Sequence, residues 1–229
     1  MKDIVHHSAL VTGVMALALV WPGCTRNEVV EENDQIVGSG RLISEMRSVS
    51  PFTGIRVVNF GKVFITQDTV STLRIEADDN ILDRVETSVT NGQLIVGLRQ
   101  GTYNNVTLNV TASMRDIRSL ESVGAADFRT LAPVHLDSID CRITGAGSVS
   151  LAGTANVESV EITGAGDVHN FGLVASYCFA SISGTGTIEV TATQQLDAVI
   201  AGAGTIVYAG NPPIVHQSIT GVGSIRPGP

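Results

Sequence analysis

Ile143-Thr-Gly-Ala-Gly-Ser-Val149 recurs down the chain as Ile162-Thr-Gly-Ala-Gly-Asp-Val168, Ile182-Ser-Gly-Thr-Gly-Thr-Ile188, Ile200-Ala-Gly-Ala-Gly-Thr-Ile206 and Ile219-Thr-Gly-Val-Gly-Ser-Ile225. The first glycines, Gly145, Gly164, Gly184, Gly202 and Gly221, lie 19, 20, 18 and 19 residues apart, and a degenerate copy, Val123-Gly-Ala-Ala-Asp-Phe128, precedes them by 21. Around each copy the apolar residues alternate. Ile143, Ile162, Ile182, Ile200 and Ile219 stand two before the first glycine, and Cys141, Val160, Ala180, Ala198 and Gln217 stand four before. Ile139, Glu158, Cys178, Leu196 and Val215 stand six before, and Val149, Val168, Ile188, Ile206 and Ile225 stand four after. A period of two marks strands with one face inward. The glycine pairs, completed by Gly147, Gly166, Gly186, Gly204 and Gly223, sit where the chain turns, and glycine accepts a positive φ or a close backbone approach there.

A unit of about 19 residues made of short strands is one rung of a β-solenoid, whose equivalent strands pair in parallel from rung to rung. Identical residues then stack about 4.8 Å apart into an isoleucine ladder. Each buried isoleucine contributes on the order of 1.5–3 kcal/mol. Cys141 and Cys178 fall in the inward set two rungs apart, about 9–10 Å by that spacing and beyond the ~7 Å Cα reach of a disulfide. Both are predicted to be free, buried thiols.

Other readings of the glycine motif fail on context. A nucleotide-binding loop occurs once, between a strand and a helix, whereas this motif occurs five times between strands. Calcium-binding repeats need an acid in each unit, yet the residue after the second glycine runs Ser148, Asp167, Thr187, Thr205, Ser224. The 229 residues carry 14 Lys plus Arg against 22 Asp plus Glu, a net charge of −8 that opposes nucleic-acid binding.

At the N-terminus, Lys2, the apolar stretch Ala9–Val20 and the Gly23-Cys24 junction have the layout of a secretory signal, too short to span a bilayer. Cys24 after a small residue resembles the lipidation site of bacterial lipoproteins, although Trp21 and Pro22 depart from its usual pattern. Residues 1–23 are thus predicted to be a signal peptide and residues 24–50 a tether, acidic at Glu28, Glu31, Glu32 and Asp34, leading into a first strand. Residues 51–225 form the solenoid domain. Its part 51–115 is less regular β structure that closes the open edge, with a tight Asn91-Gly92 turn, and the regular repeats run over 120–225. Residues 226–229, Arg-Pro-Gly-Pro, form a C-terminal cap, since proline donates nothing to an added strand.

These residues resemble the putative auto-transporter adhesin "head GIN" domain of exported proteins of Bacteroidetes-type bacteria. The likeness rests on Phe52-Thr-Gly-Ile55, Ile75-Glu-Ala-Asp-Asp-Asn-Ile-Leu82, Asn91-Gly-Gln-Leu94, the Gly-Ala-Gly strings and Tyr208-Ala-Gly-Asn-Pro-Pro213. It implies a right-handed parallel β-helix and an adhesin role, and brings no catalytic residues or cofactor.

No reactive cluster appears in the repeats. Outward positions three before the glycine are Arg142, Glu161, Ser181, Val199 and Ser218, and five before are Asp140, Ser159, Phe179, Asp197 and His216. Arg142 and Glu161 read as a cross-strand surface pair. After Ile143 the one cation is Arg226, and His135, His169 and His216 differ too much in repeat position to share a metal. Two outward features remain as candidate contact surfaces. One is the hydroxyl ladder Thr144, Thr163, Ser183 and Thr220, interrupted by Ala201, and the other is the aromatic pair Tyr177 and Phe179. The predicted function is a non-enzymatic adhesin-like or scaffold module of the cell envelope, held to a membrane through lipidated Cys24 at the outer membrane or cell surface. Its partner is an unidentified protein or glycan, and self-association is left open. A polysaccharide-acting β-helix enzyme and a periplasmic structural protein are the alternatives.

Overall fold

A computed structural model describes residues 35–228. The segment carrying the predicted export signal, Cys24 and the acidic first part of the tether, residues 1–34, lies outside the described residues. What is described is a β-solenoid followed through the repeats by parallel pairing alone. The ladder of isoleucines exists: Ile143, Ile162, Ile182, Ile200 and Ile219 are successive partners, and the first four are fully buried. Val149, Val168, Ile188, Ile206 and Ile225 make a second ladder.

Each regular turn uses three strand segments, as the 18-residue strand Ala165–Ile182 shows. Residues 165–170 belong to a valine face, 173–175 to a short face and 177–182 to an isoleucine face, with register shifts at the two corners. The Gly-x-Gly corner joins the isoleucine face to the valine face. Its first glycines do not have left-handed backbones; close packing requires them. A Cβ on Gly184 would lie 1.9 Å from the carbonyl oxygen of Gly164 on the rung below, and one on Gly164 would lie 2.0 Å from that of Gly145. No side chain fits that spacing.

The degenerate copy is a true rung. Ser122 takes the isoleucine position, pairing with Ile143 and with Val57 on its other side. It is fully buried, with its hydroxyl accepting from the Ala126 N–H at 3.1 Å. One further rung, Gly54–Val57 with Phe60–Gln67, carries the motif in a form the repeat search does not detect. Asn59 replaces the first glycine, and Val57, Gly61 and Val63 align with Ser122, Ala126 and Phe128.

Rungs at this end are not stacked in chain order. The strands Gly54–Val57 and Phe60–Gln67 lie between the later strands Gln93–Leu98 and Leu108–Met114 on one side and Ser119–Ser122 and Ala125–Thr130 on the other. Antiparallel strands then close the edge. Thr72–Asp78 pairs with Leu108–Met114, Leu42–Met46 pairs with Thr72–Asp78, and Val85–Thr90 pairs with Gln93–Leu98. Asn91 and Gly92, both at positive φ (52° and 76°), make the predicted tight turn.

The Asp78-Asp79-Asn80 string is a structural clasp for residues 37–41. The buried Asp78 carboxylate accepts from Gly40 N–H and Thr107 N–H, both at 2.7 Å. Asp79 pairs with Arg41 and accepts from the Ser39 hydroxyl, which together hold its carboxyl below the usual range. Asn80 bonds the backbone of Ser39 and Val37.

At the far end two expectations change. Ile219 is 44 % exposed and Gln217 is exposed, because among the described residues no rung lies beyond them. Pro227 is part of the last strand, Val222–Pro227, rather than a cap after it. Val222 and Gly228 donate backward to Gly202 and Tyr208, so by alternation Pro227 stands at an outward-directed position, where a missing N–H costs the existing sheet nothing.

Cys141 and Cys178 are free and buried, as expected. Burial pushes both thiols well above their ordinary range. Alkylation of the native full chain followed by peptide mapping is therefore expected to spare both residues until denaturant is added. Rapid labelling of either in the native state would contradict this packing.

Candidate functional site

The isoleucine face turns three columns of side chains outward. One runs Ser119, Asp140, Ser159, Phe179, Asp197, His216; a second runs Arg56, Glu121, Arg142, Glu161, Ser181, Val199, Ser218. The third runs Val157, Tyr177, Gln195, Ile214. Parallel in-register stacking places neighbours in each column about 4.8 Å apart. The face therefore divides along the solenoid axis into a charged half and an apolar half.

In the charged half the signs alternate. Arg56 lies 3.7 Å from Glu121, while Arg142 lies 2.6 Å from Asp140 and 3.4 Å from Glu161. With side chains 51 % and 45 % exposed, Arg142 and Glu161 form the surface pair expected of them, contributing at most about 1 kcal/mol. Burial raises the Asp140 carboxyl against the pull of Arg142, with Glu161 and Glu121 adding to the rise.

In the apolar half, Tyr177, Phe179, Val199 and Ile214 are 42 %, 44 %, 41 % and 45 % exposed. Period-two patterning explains why: the residues between them, Cys178, Ala180 and Leu196, point inward and are buried. The polar side chains among them are engaged with each other. Gln195 Nε2 donates to Asp197 Oδ2 at 2.6 Å, and His216 Nδ1 lies 2.6 Å from Asp197 Oδ1.

The hydroxyl ladder lies elsewhere. Thr144, Thr163, Ser183 and Thr220 are exposed at the Gly-x-Gly corner, and Thr144 Oγ1 donates to the Ser122 carbonyl at 3.2 Å. The three histidines have separate partners, His135 with Thr154, His169 with Glu189 and His216 with Asp197. Among the described residues no three His, Cys, Asp or Glu side chains gather in a metal-binding group.

One polar cluster lies inside the solenoid, and sequence reasoning passed over it. Glu158 occupies an inward position between Ile139 and Cys178 and is fully buried. Its Oε1 accepts from Asn170 Nδ2 at 2.6 Å, Asn170 Oδ1 accepts from Leu151 N–H at 2.8 Å, and Cys178 Sγ lies 3.9 Å from Oε2. Burial pushes the carboxyl up to about 8, with the bonds from Asn170 and Cys178 opposing the rise. The signal was available: an acid in a column otherwise filled by Ile139, Cys178, Leu196 and Val215.

The family model described as "Putative auto-transporter adhesin, head GIN domain" matches residues 51–212. A putative adhesin of Bacteroides fragilis is similar in structure, with a TM-score of 0.67 and 25 % identity, over 84 % of this chain and 99 % of its own. A putative lipid binding protein of Parabacteroides distasonis superimposes with a TM-score of 0.53 at 23 % identity, over 85 % of this chain and all of its own. For a putative adhesin of Parabacteroides merdae the values are 0.50 and 20 %, over 86 % of this chain and all of its own. The last two are similarities of fold. No curated protein matches the chain.

Proposed function

The chain belongs to the putative auto-transporter adhesin, head GIN domain family, and from that membership we propose that it is a non-enzymatic contact module of the cell envelope, tethered through a lipid on Cys24. The observation that carries this reading is the isoleucine face, a stiff sheet with an exposed aromatic patch whose polar neighbours are already bonded to one another. Acid–base chemistry needs a proton donor and an acceptor that converge on a bound substrate. On this face Arg142 is held between Asp140 and Glu161, and Asp197 between Gln195 and His216. The export-signal layout before Cys24 supports a position outside the cytoplasm.

Protease treatment of intact cells carrying the tagged full-length protein tests the address, with a known periplasmic protein as control. Digestion without lysis is expected. Protection until lysis would replace adhesion with an envelope-structural role inside the outer membrane.

A further inference from the structure

On that reading of a contact module, we propose that the isoleucine face binds a neutral glycan across Tyr177, Phe179, Gln195, Asp197 and His216. Three observations lead to it, and the first is how the register arranges these residues. Tyr177 and Phe179 stand two residues apart on one strand, about 6.6 Å from each other by the strand rise. On the next rung, about 4.8 Å along the axis, Gln195 lies beside Tyr177 and Asp197 beside Phe179. One rung further, Ile214 and His216 continue the same two columns. Both aromatic residues are exposed, so each exposed ring adjoins a polar group. A pyranose has the matching character, with apolar C–H faces and a rim of hydroxyls. A sugar unit seated on either ring turns its rim toward the polar rung beside it.

The second observation is the hydrogen-bonding capacity left over. Gln195 Nε2 donates to Asp197 Oδ2, and His216 Nδ1 lies against Asp197 Oδ1, both at 2.6 Å. These bonds fix the three side chains relative to one another without exhausting them. Gln195 keeps Oε1 and a second N–H, His216 keeps Nε2, and each Asp197 oxygen keeps a lone pair. Among the described residues no other group pairs with them. A fixed row of donors and acceptors suits hydroxyls, each of which both gives and takes a hydrogen bond. Beneath an apolar side chain of a protein partner, the same groups would lose water and gain nothing in return.

The third observation is charge. Asp197 lies in the site and Glu161 lies one rung before the rings in the adjoining column. Arg142, one rung beyond Glu161, is held between Asp140 and Glu161. An anionic glycan would meet these carboxylates with no free guanidinium to pair with, so the class is neutral. The site is a platform on a flat sheet, open at both ends of its columns, which suits an internal stretch of a polysaccharide chain.

Affinity electrophoresis of the purified full chain tests this, in gels that each carry one polysaccharide: a glucan, a mannan, a xylan or a galactan as neutral probes, and polygalacturonate as the anionic one. At least one neutral probe is expected to retard the chain, and polygalacturonate is not. The retardation should be the same at roughly 0.05 and 0.5 M salt, since the ligand carries no charge to screen. The dissociation constant should rise about tenfold or more in Tyr177→Ser/Phe179→Ser, as truncation of aromatic anchors does. It should rise severalfold in Gln195→Ala, and Thr163→Ala at the corner should change nothing. The altered side chains point outward, so each variant should melt with the wild type. Retardation by none of the neutral probes, equal retardation of the double variant, or stronger retardation by polygalacturonate would each overturn the proposal. In the first case, an alternating lysine–leucine peptide that binds the wild type and not the double variant would mark the face as protein-binding instead. Failure of the contact-module reading shows differently, as shortening of the bound glycan or as protection from protease on intact cells.

Discussion

Ile182→Asp is expected to leave the repeats unfolded near neutral pH. Ile182 lies in the middle of the isoleucine ladder with Ile162 on one side and Ile200 on the other, all fully buried. Its Cδ1 and Cγ2 also cover the space beside Gly204. The substitution removes a large apolar side chain, at a cost of about 2–5 kcal/mol including the void. It also leaves a carboxyl in a column with no donor, adding several kcal/mol more by desolvation. The total rivals the roughly 5–15 kcal/mol that holds a whole domain. Circular dichroism with urea unfolding checks it, and Ile182→Val, expected to lose only about 0.5–1.5 kcal/mol, shows whether the site tolerates a smaller side chain of the same kind. An aspartate variant as stable as the wild type would mean that position 182 does not face inward.

Glu158→Gln is expected to stabilise the protein increasingly as pH rises. Below about pH 4.5 the Glu158 carboxyl is protonated in the folded and unfolded chain alike and contributes no pH dependence. Between 4.5 and about 8 the unfolded chain releases this proton while the folded chain retains it. Folding stability therefore falls by about 1.4 kcal/mol for each pH unit across that window, and the fall ends once the folded carboxyl also ionises. Glutamine keeps the acceptor that Asn170 Nδ2 uses and has no proton to lose. The difference in unfolding free energy between variant and wild type should be small at pH 4 and reach several kcal/mol by pH 8. Denaturant titrations of both proteins across that range measure it. A difference that stays flat with pH would place Glu158 in contact with water.

The repeats were legible because residues there do one job each. An isoleucine faces in, a threonine faces out, and the glycines stand where one backbone crosses close to another, so alternation and spacing together specify the register. Legibility fails where a side chain replaces the backbone's solution with its own. Asn59 stands in for a glycine, and its Oδ1 accepts from Leu98 N–H, so that rung escapes a search for Gly-x-Gly. Glu158 breaks the inward column by a single residue, and its partner Asn170 is 12 residues away on another face, a distance that alternation cannot bridge. Tyr177 and Phe179 were identified as a pair from the sequence. Val199 and Ile214, one and two rungs further on, join them on one face only once the register is known, which sets Gln195 and Asp197 directly beside the two rings.

The out-of-order stacking at the N-terminal end bears on how the molecule answers a pull. A simple solenoid unwinds from its end, one rung at a time. Here tension applied ahead of residue 35 first frees Gln35–Val37 from Thr102–Asn104 and residues 37–41 from the Asp78-Asp79-Asn80 clasp, then peels the strand Leu42–Met46 from Thr72–Asp78, and only then reaches Gly54–Val57. That strand is held on both edges by parallel partners, Gln93–Val96 and Ser119–Ser122, contributed by later parts of the chain. Extracting it means shearing two ladders at once instead of unzipping one. Unravelling that proceeds from the leading end therefore meets a mechanical clamp before it reaches the regular repeats.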